Sequence, residues 1–152
     1  MAAPQINYAA VFQDVPIPMM LLTPEFVMAD VNQAYARKVG RRREDLVGRN
    51  VFAAFPENPS DPGATGVDNL TRSFRRVLDT GATDVMDLQK YDVEVPDRPG
   101  HYEARYWCPV NAPVRGPDGD VELIAQCVEE VTDRLRKFVS GLAADAVEDG
   151  PG

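Results

Sequence analysis

The sequence predicts an α+β domain in which several short helices gather on one face of a five-stranded antiparallel sheet. Three observations carry this. Two short apolar segments lie near the amino end, three longer segments rich in β-branched and aromatic residues lie near the carboxyl end, and helical patterns fill the interval between them. The chain has 152 residues, 44% of them hydrophobic, which is material for one core. A cut in the Pro/Gly-rich stretch FPENPSDPGATGVDNL (55–70) would leave a first half of about sixty residues, close to the smallest core that holds without disulfides or metals. That stretch is therefore read as a loop inside one domain.

Taken in order, 7–12 predicts a short helix with Tyr8, Val11 and Phe12 on one side. IPMMLLT (17–23) and FVMADVN (26–32) predict two strands joined by a tight turn at Pro24-Glu25. Asn32 suits the N-cap of the next helix and Gly40 its left-handed end. A short helix follows over 43–46. In VDNLTRSFRRVLDTG, the residues Val67, Leu70, Phe74, Val77 and Leu78 form one apolar stripe, with Thr65 as the expected cap and Gly81 as the stop. Three strands are then expected in TDVMDLQKYDVEV, HYEARYWCPVNAPV and DVELIAQCVEEV, the last two joined by GPDG as a four-residue hairpin loop. Val131, Leu135, Phe138 and Leu142 recur at steps of four, three and four, the seam of an exit helix, and the chain ends in the acidic tail VEDGPG.

A formal charge of −8 repels phosphate backbones and anionic membranes, so no nucleic-acid partner is expected. Arg41-Arg42-Arg43 runs directly into Glu44-Asp45 and reads as a solvated helix start. The amino terminus lacks the pattern of a signal peptide, and the apolar run Met19 to Leu22 is far too short to span a bilayer, so a cytoplasmic protein without membrane attachment is expected. Cys108, Cys127 and a single histidine support neither a zinc site nor a disulfide framework.

ADVNQAY with Asn32, EDLVGRNVFAAFP with Gly48, the central helix, the turn at Asp118-Gly119 and EEVTDR form an ordered set that resembles the PAS sensor domain. FPENP and YDVEVP through RYWCPVNAPV are similar to a bacterial subgroup found with histidine kinase or PP2C-type phosphatase modules. Glu130 stands where the family signature before the signalling helix usually has Asp. The resemblance implies a PAS domain over 1–134, including its N-terminal helix, followed by an exit helix and tail over 135–152. It implies a non-catalytic sensory module that works by small-molecule sensing, homodimerisation or both. A downstream kinase or phosphatase module is the implied partner. PAS haem sites use a histidine on the central helix; this helix has none, and His101 starts a strand. The flavin-adduct motif Gly-Arg-Asn-Cys reads here as Gly48, Arg49, Asn50 and Val51, which has no thiol. No cofactor and no metal are expected.

If Arg115 faces Asp120 across GPDG, then Trp107 faces Val128, Pro109 faces Gln126, Asn111 faces Ile124, Arg105 faces Glu130 and Cys108 faces Cys127. By similarity to flavin-binding relatives, the Val128 face turns toward the helices. Trp107, Asn111, Gln126 and Val128, with Tyr35, Phe52, Phe55, Leu70 and Phe74 opposite, are then pocket candidates, or else plain core residues; Tyr91 fits either face. Arg105 and Glu130 read as a cross-strand ion pair, and the facing cysteines as packing thiols before a redox pair. Asp84, Asp92 and Glu94 fall on one strand face and Asp87 on the other, which suits a solvated strand better than an acid/base pair. Tyr8, Val11, Phe12, Glu130, Thr132, Leu135, Phe138 and Leu142 are candidates for dimer contact and signalling. The alternatives are a pure interaction module and a cavity enzyme such as an isomerase.

Overall fold

In the computed structural model, which describes residues 2–148, the elements run α1 (Tyr8–Asp14), β1 (Met19–Leu22), β2 (Met28–Val31), α2 (Gln33–Val39), α3 (Arg43–Leu46), α4 (Val51–Ala54) and α5 (Gly66–Thr80). The second half comprises β3 (Asp84–Val85), β4 (Gln89–Lys90), β5 (Val93–Glu94), β6 (Tyr102–Glu103), β7 (Tyr106–Arg115), β8 (Val121–Glu130) and α6 (Thr132–Glu148). The sheet order is β2-β1-β8-β7-β3, with β4 on the same edge of β7 as β3, and all pairs are antiparallel. β3 and β4 are two pieces of one edge strand, so the sheet is five strands wide, as the sequence predicts. β5 and β6 form a separate ribbon. The amino-terminal hairpin thus closes onto the last strand, and the helices between them lie over the sheet. Residues 149–152 of the expected tail lie outside the described residues. Among those described, no helix is long and apolar enough to cross a membrane.

The core is where helices meet sheet: Met20, Leu22, Met28, Val31, Leu46, Phe74, Val77 and Ile124 are fully excluded from water or nearly so. α5 turns Phe74 and Val77 into it, as the stripe predicts. Asn32 caps α2 by accepting from Tyr35 N, and Gly40 and Gly81 end α2 and α5 at φ 67° and 63°. Asn50 caps α4, accepting from Phe52 N and Ala53 N. Thr65 makes no capping bond; Glu57 Oε1 accepts from Val67 N instead. A carboxylate from the Pro/Gly loop therefore serves the helix start.

Four details depart from the sequence reading. First, β2 begins at Met28 because Phe26 sits in the turn at φ 66°, a costly conformation for a non-glycine residue. Its ring packs against Phe52 and Phe74. Second, TDVMDLQKYDVEV is broken into three. Asp84 pairs with Asn111 but Gln89 with Trp107, so the register slips by one residue between β3 and β4. Alternation therefore fails across 86–88, and Asp84 and Gln89 both turn toward the helices. Asp84 is thus not a solvated strand residue, and neither is Asp92, whose side chain is 8% exposed and held by Asn58 and Lys90.

Third, the β7–β8 turn is longer than GPDG. Gly119 N donates to Gly116 O and Gly116 N to Asp120 O, after which a bulge opposite Val114/Arg115 adds another residue. The true partners are Trp107 with Glu130, Pro109 with Val128, Asn111 with Gln126, and Pro113 with Ile124. Two extra residues preserve side-chain parity, so the same residues face inward although every pairing differs. Fourth, Cys108 faces Glu129 and Cys127 faces Val110. The thiols are diagonal neighbours, a spacing of about 7–8 Å that a disulfide does not span without backbone movement.

Candidate functional site

Between the inner face of the sheet and helices α2, α4 and α5 lies an apolar cavity of about 70 Å³. Of the pocket candidates, Tyr35, Phe52, Phe55, Leu70, Phe74, Trp107, Gln126 and Val128 line it. Asn111 does not; it is fully buried one layer behind, bonded to Gln126. Sequence reasoning missed Met20, Val39, Val51, Gln89, Val93 and Pro109 in the wall, and left Tyr91 undecided. Pro109 was legible, since it alternates with Trp107 along β7. Gln89 was not, because its inward turn depends on the one-residue slip.

The wall is held by polar bonds at its back. Trp107 Nε1 donates to Tyr91 O at 3.0 Å, and Tyr91 N to Arg105 O at 2.9 Å, fixing the segment between β4 and β5 against the cavity. The Tyr91 hydroxyl donates to Phe55 O, joining that segment to the start of the Pro/Gly loop. Lys90 to Asp61 at 2.8 Å and Asn58 to Asp92 at 2.9 Å add two further ties, so the loop closes one side of the site. Gly66 lies against the Tyr91 ring so closely that an added Cβ would come within 2.3 Å of it. Arg41 stacks over Phe55 at 4.8 Å and donates to Ala54 O at 2.7 Å, securing the end of α4.

The chemistry available inside is narrow. Among the described residues, none that lines the cavity carries a carboxylate, an imidazole or an amine. Its titratable groups, Tyr35 and Tyr91, are both pushed above the ordinary phenol range. Burial dominates in each; Arg41 opposes the shift at Tyr35, and the Glu57 charge adds to it at Tyr91. They are neutral phenols at physiological pH. Gln126 donates through Nε2 to Asn111 Oδ1 at 3.1 Å, Asn111 Nδ2 donates to Ser73 Oγ at 2.7 Å, and the Ser73 hydroxyl donates to Asp84. Arg76 holds Asp84 from outside at 3.0 Å.

The signalling candidates separate into two groups. Thr132 is buried at the start of α6, where Oγ1 accepts from Tyr106 N at 3.0 Å. Glu130 faces Arg105 at 3.7 Å and Lys38 at 3.9 Å. The expected ion pair with Arg105 is present although Glu130 lies opposite Trp107. Leu135 and Phe12 are half-buried, whereas Tyr8, Val11, Phe138 and Leu142 are exposed by 73, 55, 64 and 54%. The apolar seam of α6 and one side of α1 thus face outward from the single chain.

A family model described as "PAS fold" matches residues 12–136. No curated protein matches the chain. A sensory box sensor histidine kinase structure from Vibrio cholerae superposes with a TM-score of 0.55 at 19% identity, covering 82% of this chain and 89% of that one. The PAS domain of a Colwellia psychrerythraea protein gives 0.63 at 12% identity, covering 84% and 96%. The Vibrio cholera VqmA–ligand–DNA complex gives 0.57 at 21% identity; there 92% of this chain matches 58% of the other. These structures share the sheet-over-helices arrangement that encloses the cavity, and the family model spans it from the end of α1 into α6: the chain belongs to the PAS-fold family.

Proposed function

We propose that the chain is a non-catalytic sensory input module that takes a small, mainly apolar molecule into the cavity and reports occupancy through α6 to a second copy of itself. One observation carries this reading: the cavity wall and the exit helix share a strand segment. Trp107 lines the cavity, and its neighbour Tyr106 bonds through its backbone N–H to Thr132, the first residue of α6. An occupant that moves Trp107 acts on the anchor of α6 through one peptide unit. Because only a difference in affinity between two arrangements shifts an equilibrium, the ligand would favour one setting of α6 over the other.

The exposed seam of α6 and the apolar side of α1 supply a surface for homodimerisation, and the likeness to a histidine kinase sensor supports a kinase as the downstream partner. The VqmA relative was solved with ligand and DNA, but it extends well beyond the matched region, and the net charge of −8 here argues against direct DNA contact. A wall without a base or a low-pKa acid gives an isomerase nothing to move a proton with.

The second reading, an interaction module without ligand, is favoured by size. About 70 Å³ is well below the roughly 300–1,000 Å³ of ordinary ligand pockets. Native mass spectrometry of the freshly purified protein, with an absorption spectrum, separates the two. A retained small mass supports the sensor; an empty dimer whose exit helices do not respond to any small aromatic supports the interaction module.

A further inference from the structure

The buried polar chain behind the cavity has a direction. Asp84 accepts from Arg76 at both oxygens, 3.2 Å from Nε and 3.0 Å from Nη2, and an ionised carboxylate has no proton to give. The Ser73 hydroxyl must therefore donate to Asp84. With its single proton used, Ser73 Oγ can only accept from Asn111, which turns the Asn111 nitrogen toward Ser73 and Met86 Sδ. The Asn111 oxygen is then left for Gln126, which must present its nitrogen. Gln126 lines the cavity while Ser73, Asp84 and Asn111 do not. Nε2 thus commits one of its two N–H groups to Asn111 and is held on that side, whereas Oε1, at the other end of the amide, is an acceptor that no donor among the described residues reaches.

The other polar groups in the wall do not discriminate. Gln89 is occupied by Asn69 and by Asp87 O, Trp107 Nε1 by Tyr91 O, and the Tyr91 hydroxyl by Phe55 O. The Tyr35 hydroxyl rotates and can serve a donor or an acceptor equally.

We propose that this relay makes the cavity selective for a small apolar molecule bearing an N–H or O–H donor, with Asp84, Ser73 and Asn111 as positioning residues that set the polarity of Gln126. The proposal rests on the ligand-sensor reading and names its ligand class. It also gives Asp84→Asn a distinct consequence. The amide oxygen keeps the bond from Arg76 Nε at the Oδ1 position, while the amide nitrogen takes the Oδ2 position, gives up the Arg76 Nη2 bond and faces Ser73; Ser73 then accepts from it and donates to Asn111, and each bond in the chain reverses until Gln126 offers NH₂ to the cavity.

Pyrrole and furan, rings of nearly equal size that differ in a donor N–H and an acceptor oxygen, fit a cavity of this volume and test the polarity. Each is titrated into the full chain and followed through the side-chain amide resonances of Gln126 and Asn111. The wild type is expected to bind pyrrole about five- to tenfold more tightly than furan, the effect of one net hydrogen bond. Asp84→Asn should abolish or invert that preference and shift the Gln126 amide signals. Ser73→Ala, which cuts the relay while leaving the Arg76–Asp84 pair, should abolish it as well. Equal binding of both rings overturns the donor selectivity and leaves the sensor reading standing. Retention of the preference in folded Asp84→Asn overturns the relay. Binding of neither ring by the folded wild type overturns the proposal together with the ligand-sensor reading.

Discussion

Asn32 joins three segments with one amide. Its Oδ1 accepts from Met19 N and Tyr35 N, and its Nδ2 donates to Ile17 O at 2.8 Å, so the lead into β1, β1 itself and α2 are held together at a site with no water. The capping role was legible from its position before an apolar-periodic run; the bonds to Met19 and Ile17, thirteen and fifteen positions earlier, were not, because they depend on β1 lying beside the cap. Asn32→Ala strands buried donors, and a loss of about 3 kcal/mol is expected from the urea midpoint. A loss under about 1 kcal/mol would mean that water replaces the amide there. Asp84 gives a prediction with a sign. The Arg76 bond, and after it the Ser73 bond, hold its carboxyl below the usual range. Such a group stabilises the fold above its unfolded pKa of about 3.9 and loses that contribution as pH falls through the lower folded value. The stability gap between wild type and Asp84→Asn should therefore be full near neutrality and narrow below about pH 4. Denaturation midpoints that stay parallel across this range would contradict it.

At the scale of elements, what the sequence disclosed was what local chemistry alone decides. The stripe of α5, the left-handed glycines ending α2 and α5, and the alternation along β7 and β8 need only neighbours in sequence, and each appears in the fold. Four of the fifteen wall residues, Trp107, Pro109, Gln126 and Val128, follow from that alternation. What stayed hidden was set by single inserted residues. The slip between β3 and β4 brings Asp84 inward, and the longer turn together with the bulge beside Val114/Arg115 changes every cross-strand partner; neither leaves a mark in composition or period. The Pro/Gly loop shows the same dependence on tertiary contact, since Glu57, Asn58 and Asp61 find their roles only once β4 and α5 are in place. Gly66 is the tightest point of that arrangement. In Gly66→Ala the new methyl meets the Tyr91 ring, which must move from its place in the cavity wall. A destabilisation of about 1–3 kcal/mol is expected. Quenching of the Trp107 fluorescence by acrylamide should increase alongside it, because Tyr91 covers that side of the site. An unchanged quenching constant would show that the ring yields without opening the wall.

For the whole molecule, the question is how a closed core speaks to anything outside it. α6 leaves the sheet at Thr132, whose bond to Tyr106 and whose neighbour Glu130, paired with Arg105 and Lys38, fix the first turn. Beyond Leu135 the helix carries Phe138 and Leu142 outward, where both are more than half exposed. Two apolar residues in one seam cost nothing to the isolated fold if replaced by charge, yet would place like charges face to face in a paired helix. Phe138→Glu with Leu142→Glu is therefore expected to leave the thermal midpoint of the monomeric core within about 2 °C, since surface changes away from packed contacts shift stability little. The same double variant should convert a dimer to a monomer in sedimentation equilibrium at high micromolar concentration. If the wild type is itself a monomer there, the exposed seam does not pair with its own copy, and the surface belongs to another partner. If the double variant remains dimeric, the contact lies elsewhere, with the exposed Tyr8 and Val11 on α1 the next surface to charge.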